Sequence, residues 1–335
     1  MRKILIPTLA ILILSCSKND GNDIENLVED SSGNNAPVIT TENLQITEHS
    51  LSGTSLGFIN FSDADIEDEL TLSITSDAFE INESTGEISV GPNAILDFET
   101  SPETSFDVSV FDGTIITEKN IHLTIENIEE YDILSAPQKE LVAYFKYLTL
   151  KEASSNLTNI RKWNTPMKIY LDGNISSNYR TTVESVIEEY NALFKTGDFS
   201  ISLVETSEES NTHIFLGDSS ELENFWDDMF DVVGESPFSG YAITSVKNFK
   251  LNDSRIWVSN ELESLLKHEL GHALGLGHSN KCDTEKSFMC SIVTQNNDFL
   301  ESDEDVLRFL YHKDMASGTA LEDLNNAVGN LILLD

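Results

Sequence analysis

Positive charge is scarce in this chain. Twenty lysines and arginines stand against 58 aspartates and glutamates, a formal net charge of −38. A surface so acidic repels phosphate backbones, which argues against nucleic acid as a partner. It suits an exported protein that stays soluble and can hold calcium. Cysteine is scarce too, at three residues. Long apolar runs are missing. The stretch ILIPTLAILIL at 4–14 is shorter than the roughly 20 residues a membrane-spanning helix needs. With 335 residues, the chain is long enough for two ordinary domains.

The N-terminus carries Arg2 and Lys3 ahead of that apolar run, so residues 1–15 read as a signal peptide. Leu14-Ser15-Cys16 resembles a bacterial lipobox. The resemblance implies that Cys16 is acylated, becomes the new N-terminus and anchors the protein to a membrane. The residues that follow resemble the start of surface-exposed lipoproteins of the Bacteroidetes type, which implies the bacterial cell envelope, at the outer membrane. Residues 16–35 are polar and acidic and read as a flexible tether. With Cys16 lipidated, Cys282 and Cys290 remain, and an even pair in an exported protein reads as one disulfide. The short loop it closes corresponds to about 2.5 kcal/mol in the chain-entropy model.

Residues 36–129 read as all-β. Short alternating runs (LQIT, LTLSIT, FDVSVF, IHLTIEN) are separated by turn clusters such as INESTG and FDGT, and the spacing suits a β-sandwich. The stretch resembles a cadherin repeat. The matching pieces include Ala36-Pro37-Val38, Glu48, Asp63-Ala64-Asp65, Leu96-Asp97-Phe98-Glu99, Asp112-Gly113 and Glu126-Asn127. The resemblance implies a calcium half-site from Glu48, Asp97, Glu99 and Glu126. Calcium takes six to eight oxygens, yet no second repeat follows, and the closing piece Glu126-Asn127-Ile128-Glu129 departs from the cadherin pattern.

Residues 130–158 read as a helical connector, with Leu141, Val142, Phe145 and Leu148 at helical spacing. Residues 159–314 read as a mixed α/β (α+β) domain. MKIYLD is a strand, 178–195 a long amphipathic helix, and ISLVET, THIFLG, YAITSV and RIWVS are further strands. Either of the last two could form an edge to which an extended peptide adds as a strand. Residues 315–335 form a C-terminal tail ending in the apolar run LILL before Asp335.

The chemistry concentrates in HELGHALGLGH, residues 268–278. The expected helix starts near Asn260, with Asn260 as cap and Glu263 completing the start. His268 and His272 lie four apart, so both rings leave one side of the helix and can bind one metal. Glu269 sits beside the metal's open position. There it can take a proton from water and return it to a leaving amine. A third ligand needs the chain to turn. Gly275 stands at the turn, Gly277 adds freedom, and His278 comes back to the metal.

This is the extended zinc-binding motif of the metzincins, and residues 160–312 resemble that family. The resemblance implies zinc on His268, His272 and His278, with Glu269 as general base. It also implies a methionine turn at Ser287-Phe288-Met289-Cys290, with Met289 as an apolar floor. Ser279 after the third histidine, and a closing helix at 300–311 capped by Ser302, resemble the matrixin branch. No Pro-Arg-Cys-Gly latch precedes the domain, which argues against a cysteine-switch zymogen. No tyrosine stands two residues after Met289, which argues against a tyrosine ligand. The expectation is a multidomain chain: an all-β cadherin-like sandwich, then a metzincin-type zinc endopeptidase acting on extracellular protein or peptide substrates. A surface adhesion protein with a non-catalytic metzincin scaffold is the alternative.

Overall fold

Apolar alternation builds the first unit. The computed structural model describes residues 33–155, 157–234 and 236–335, and its internal contacts divide the chain at Glu126/Asn127. Cys16 and the signal-peptide and tether segments up to residue 32 lie outside the described residues. Among the described residues, nine strands make up the first unit: β1 Val38–Ile39, β2 Asn43–Thr47, β3 Ser55–Phe58, β4 Phe61–Ser62, β5 Thr71–Thr75, β6 Phe79–Ile81, β7 Glu87–Val90, β8 Glu103–Phe111 and β9 Ile116–Glu126. They form a four-stranded sheet in the order β2-β9-β8-β5, a three-stranded sheet β3-β7-β6, and the pair β1-β4. In β8, Phe106, Val108 and Val110 point inward while their neighbours point out. Ile121, Leu123 and Ile125 do the same in β9. Period-two alternation requires this of a sheet with one buried face.

The second unit is α/β. Its strands are β10 Lys162–Trp163, β11 Met167–Asp172, β12 Ile201–Leu203, β13 Thr212–Leu216, β14 Gly240–Lys247 and β15 Lys250–Val258. Its helices are α1 Glu130–Ile133, α2 Ala136–Thr149, α3 Ser177–Leu193, α4 Leu222–Phe225, α5 Asp227–Val233, α6 Glu263–Ala273, α7 Glu301–Leu310 and α8 Leu324–Leu334. Strands β11, β12, β13 and β15 run parallel, and β14 pairs antiparallel with β15 at one edge. Of the two candidate edge strands, the edge is therefore YAITSV, and RIWVS lies inside the sheet. Val183, Val186, Ile187 and Tyr190 of α3 are buried, and so are Leu265, Leu266 and Leu270 of α6.

Two segments expected to lie outside the mixed domain are part of it. Helix α2 is not a bare connector: Val142, Phe145 and Leu148 are fully buried in the second unit's core. The C-terminal tail forms α8, whose Leu324, Val328 and Leu331 join the same core. The caps also differ from expectation. Helix α6 begins at Glu263, and the Asn260 side chain instead accepts a bond from the Leu262 N–H at 3.0 Å, a local turn ahead of the helix. In α7, Ser302 lies inside the first turn, where its hydroxyl is 2.9 Å from Lys281 Nζ. The Asp303 carboxylate receives the Leu300 N–H at 3.1 Å. No helix among the described residues is long and apolar enough to cross a membrane.

Candidate metal centre

Helix α6 presents its two histidines from one face, and the chain then reverses. Gly275 has φ +107°, a conformation that side chains disfavour. The Gly275 N–H donates to His272 O at 3.0 Å, and the Leu276 N–H to Gly271 O at 3.0 Å. The carbonyls left over at the helix end find side-chain donors: Trp163 Nε1 on Ala273 O at 2.8 Å and Tyr311 Oη on Leu274 O at 2.9 Å. Gly277 does a different job from the one expected. Its φ is not positive; it is small because Lys151 Cα packs against it, 2.8 Å from where a Cβ would sit. The Gly277 N–H donates to Leu148 O at 2.8 Å, so the end of α2 holds the loop that carries His278.

The three imidazoles converge. His272 Nε2 lies 3.0 Å from His268 Nε2 and 3.2 Å from His278 Nε2. His268 Nδ1 donates to Phe288 O and His272 Nδ1 to Leu276 O, each at 2.9 Å. A carbonyl can only accept, so both Nδ1 atoms carry the proton and both Nε2 atoms are bare lone pairs. Burial pushes His268 down to about 4 and His272 well below the ordinary histidine value. His278 is lowered by burial and by the nearby Lys151 charge. Neutral imidazoles with lone pairs facing one another repel unless a cation sits between them. Tetrahedral zinc with nitrogen at about 2.0–2.1 Å spaces its donors about 3.3–3.4 Å apart, close to the separations here. The donor set therefore fits a divalent metal.

Glu269 is buried beside the histidines, and burial raises its carboxyl to about 8. Its Oε2 has no hydrogen-bond partner among the described residues. Gly240, the first residue of β14, packs on it: a Cβ there would lie 2.5 Å from Glu269 Oε1. Sequence reasoning passed over Gly240, although a glycine opening a strand signals close backbone approach. Met289 is fully buried under α6, against Gly271, where any Cβ would collide with its sulfur. A buried network fixes this floor. Tyr144 Oη of α2 bonds Asp303 Oδ1 at 2.5 Å and Ser279 Oγ at 2.8 Å, and the Ser279 N–H donates to Met289 O at 2.8 Å. Cys282 and Cys290 form a disulfide across the same loop.

The cleft in front of the histidines has a volume of about 950 Å³, and β14 forms one wall. Among the described residues its only lining carboxylate is Glu269, whereas Lys151 and Arg161 both line it. Burial, and then Arg161, push Lys151 down to about 8. Neither cation was singled out from the sequence, because each lies more than a hundred residues from the motif. His213 is occupied structurally, with Nδ1 2.7 Å from Asp172 Oδ2.

In the first unit, Glu48, Asp97 and Glu99 come together, but Glu126 does not join them. The link from Glu126 is its backbone carbonyl, which accepts the Glu48 N–H at 3.1 Å, and its exposed side chain ends β9. Glu48 accepts the Phe98 N–H at 2.8 Å and Asp97 the Thr100 hydroxyl at 2.6 Å, so local donors already serve these carboxylates. A second group, Asp63, Asp68 and Asp112, escaped sequence reasoning as a cluster.

No curated protein matches the chain. Among solved structures it is similar to human protocadherin-24 EC1-2, with 16% identity, 42% of this chain and 55% of that chain covered, and a TM-score of 0.27. It is also similar to Drosophila N-cadherin EC1-4, with 18% identity, 29% and 26% covered, and a TM-score of 0.25. The chain thus spans about half the length of the first and a quarter of the second. Residues 138–330 match the family described as protein of unknown function (DUF2927), from α2 to α8 and including every residue of the histidine site. That match takes in more than half of the sequence, and the chain belongs to this family.

Proposed function

We propose that the second unit is a zinc-dependent endopeptidase of the metzincin type, nearest the matrixin branch. The observation that carries this reading is the convergence of three Nε2 atoms, two of them bare, beside a buried carboxyl whose Oε2 has no partner among the described residues, at the foot of an edge strand. His268, His272 and His278 would hold the zinc. When bound, zinc supplies Lewis acidity to the scissile carbonyl and lowers the pKa of water. Phe288 O and Leu276 O keep two of the rings in the tautomer that binds metal. Glu269 takes the proton of the attacking water at Oε2 and delivers it to the leaving amine. Burial raises this carboxyl in the metal-free protein, and the charge of a bound zinc beside it would lower it again toward the carboxylate that accepts the proton. Strand β14 offers backbone N–H and C=O groups to an extended substrate. In the same reading, the first unit is a cadherin-like spacer, Cys16 carries the lipid, and the substrates are extracellular or surface proteins.

The test is cleavage of casein by the zinc-loaded protein, by the protein with a chelator, and by Glu269→Ala. The expected outcome is zinc-dependent cleavage that falls by about 10² to 10⁴ in the variant, with stoichiometric zinc retained. Equal cleavage by Glu269→Ala would refute the assignment of the base. Stoichiometric zinc without any cleavage would favour the adhesion alternative.

A further inference from the structure

The cleft is charged opposite to the chain around it. The chain has 58 acidic and 20 basic residues, yet among the described residues Glu269 is the one carboxylate that lines the cleft, while two cations, Lys151 and Arg161, do. No carboxylate lies within ion-pairing distance of Lys151 or Arg161 among the described residues; the ion pairs of this unit are made by cations outside the cleft, such as Arg180, Arg255, Lys267 and Arg308. Their position is asymmetric. Gly240, at the start of β14, touches Glu269. Val246, near its end, pairs with Leu251, which with Arg161 O flanks Gly275. Lys151 packs on Gly277, next to His278. The two cations therefore stand on the side of the histidines toward the end of β14. The opposite end of the cleft is lined by Pro237, Phe238, Leu262 and Val293, with no charged side chain among the described residues.

We infer that the cleft selects substrates with an acidic side chain, aspartate or glutamate, on the N-terminal side of the scissile bond, held by Arg161 and Lys151. The inference rests on the endopeptidase reading above and deepens it. A peptide that adds to β14 as an antiparallel strand, the stronger ladder, runs against the direction of β14. Its N-terminal half then lies along Thr244 and Val246, and its C-terminal half along Gly240. The acidic side chain is accordingly placed one to three residues before the cut. Two half-buried cations side by side repel each other and have lost much of their hydration, so a carboxylate between them relieves both costs. Arg161 can hold that carboxylate with two parallel N–H bonds, and Lys151 adds a point charge. The strongly acidic exterior repels acidic peptides at long range. The selection is therefore made inside the cleft and not by steering.

Two measurements on the full zinc-loaded chain test this. The first maps cleavage sites in a mixture of protein-derived peptides by mass spectrometry. Aspartate and glutamate enriched one to three residues before the cut is the expected result. Cleavage without that enrichment, or with the acid after the cut, would overturn the inference and leave the endopeptidase reading standing. The second uses Glu269→Ala, which binds without turnover. A fluorescent peptide with glutamate two residues before its centre is compared by anisotropy with its glutamine twin. The glutamate peptide is expected to bind about 10-fold to 100-fold more tightly. The ratio falls to about 2 in Arg161→Gln and drops also in Lys151→Met, which keeps the aliphatic stem against Gly277. Because each ratio is taken within one protein, partial misfolding of a variant does not move it. Equal binding of the two peptides by the unmodified cleft overturns the inference. Charge-selective binding without any cleavage by the zinc-loaded chain overturns the endopeptidase reading and supports the acid-selective cleft.

Discussion

Removing the charge of Glu269 should stabilise the metal-free protein, increasingly so at higher pH. Burial raises its carboxyl from an ordinary 4.5 to about 8. A carboxyl whose folded pKa lies above its unfolded value destabilises the fold once it ionises. The penalty is absent below about 4.5 and grows as pH rises toward 8. At about 1.4 kcal/mol per tenfold, the full gap corresponds to about 5 kcal/mol, of which about 4 is felt by pH 8. Glu269→Gln keeps the shape and cannot ionise. Compared after chelation, the variant should exceed the parent by about 1 kcal/mol at pH 5 and about 4 kcal/mol at pH 8. Water entering the cleft would lower the second figure. Guanidinium unfolding followed by tryptophan fluorescence suits the measurement, because Trp163, Trp226 and Trp257 all lie in the second unit. A difference under about 0.5 kcal/mol at every pH from 5 to 8 would refute the reasoning. It would mean that the Glu269 carboxyl is hydrated or paired in solution. Adding zinc should restore the parent's stability in proportion to its binding.

Gly240→Ala places a Cβ against the Glu269 carboxylate. It should lower kcat/KM for casein by about 10²-fold or more by displacing the base, while zinc content by metal analysis stays stoichiometric. Cys282→Ser opens the disulfide and should lower stability by about 2 kcal/mol, read as a shift in the denaturant midpoint; an unchanged midpoint would mean the bond is absent in solution. Tyr144→Phe removes the hydroxyl shared by Asp303 and Ser279. It should cost about 1–3 kcal/mol and weaken zinc retention under chelator challenge, because the floor under the histidines depends on that network.

The three-histidine cluster was legible because its geometry is local. Helical spacing places His268 and His272 on one face, and Gly275, with φ +107°, provides the turn that brings back His278. Alternation and helical periodicity likewise located four of the nine described strands of the first unit, five of the six of the second, and the long helix α3, since each reports which face of its own element is buried. The caps were less legible. Asn260 and Ser302 have the right chemistry for helix starts, yet neighbouring residues set the boundaries one to three positions away.

What sequence alone determined is therefore the set of residues at the site: three histidines, one carboxyl beside them and a methionine beneath them. Tertiary structure decided everything that depends on residues far apart in the chain. It drew α2 into the core, so that Leu148 O anchors the His278 loop and Tyr144 braces the floor. It made β14 the edge strand and set Gly240 against Glu269. It also brought Lys151 and Arg161 into a cleft where Glu269 is the only carboxylate among the described residues. Periodicity records which side of an element meets the core, but not which distant element it meets, and the cleft is made of such meetings.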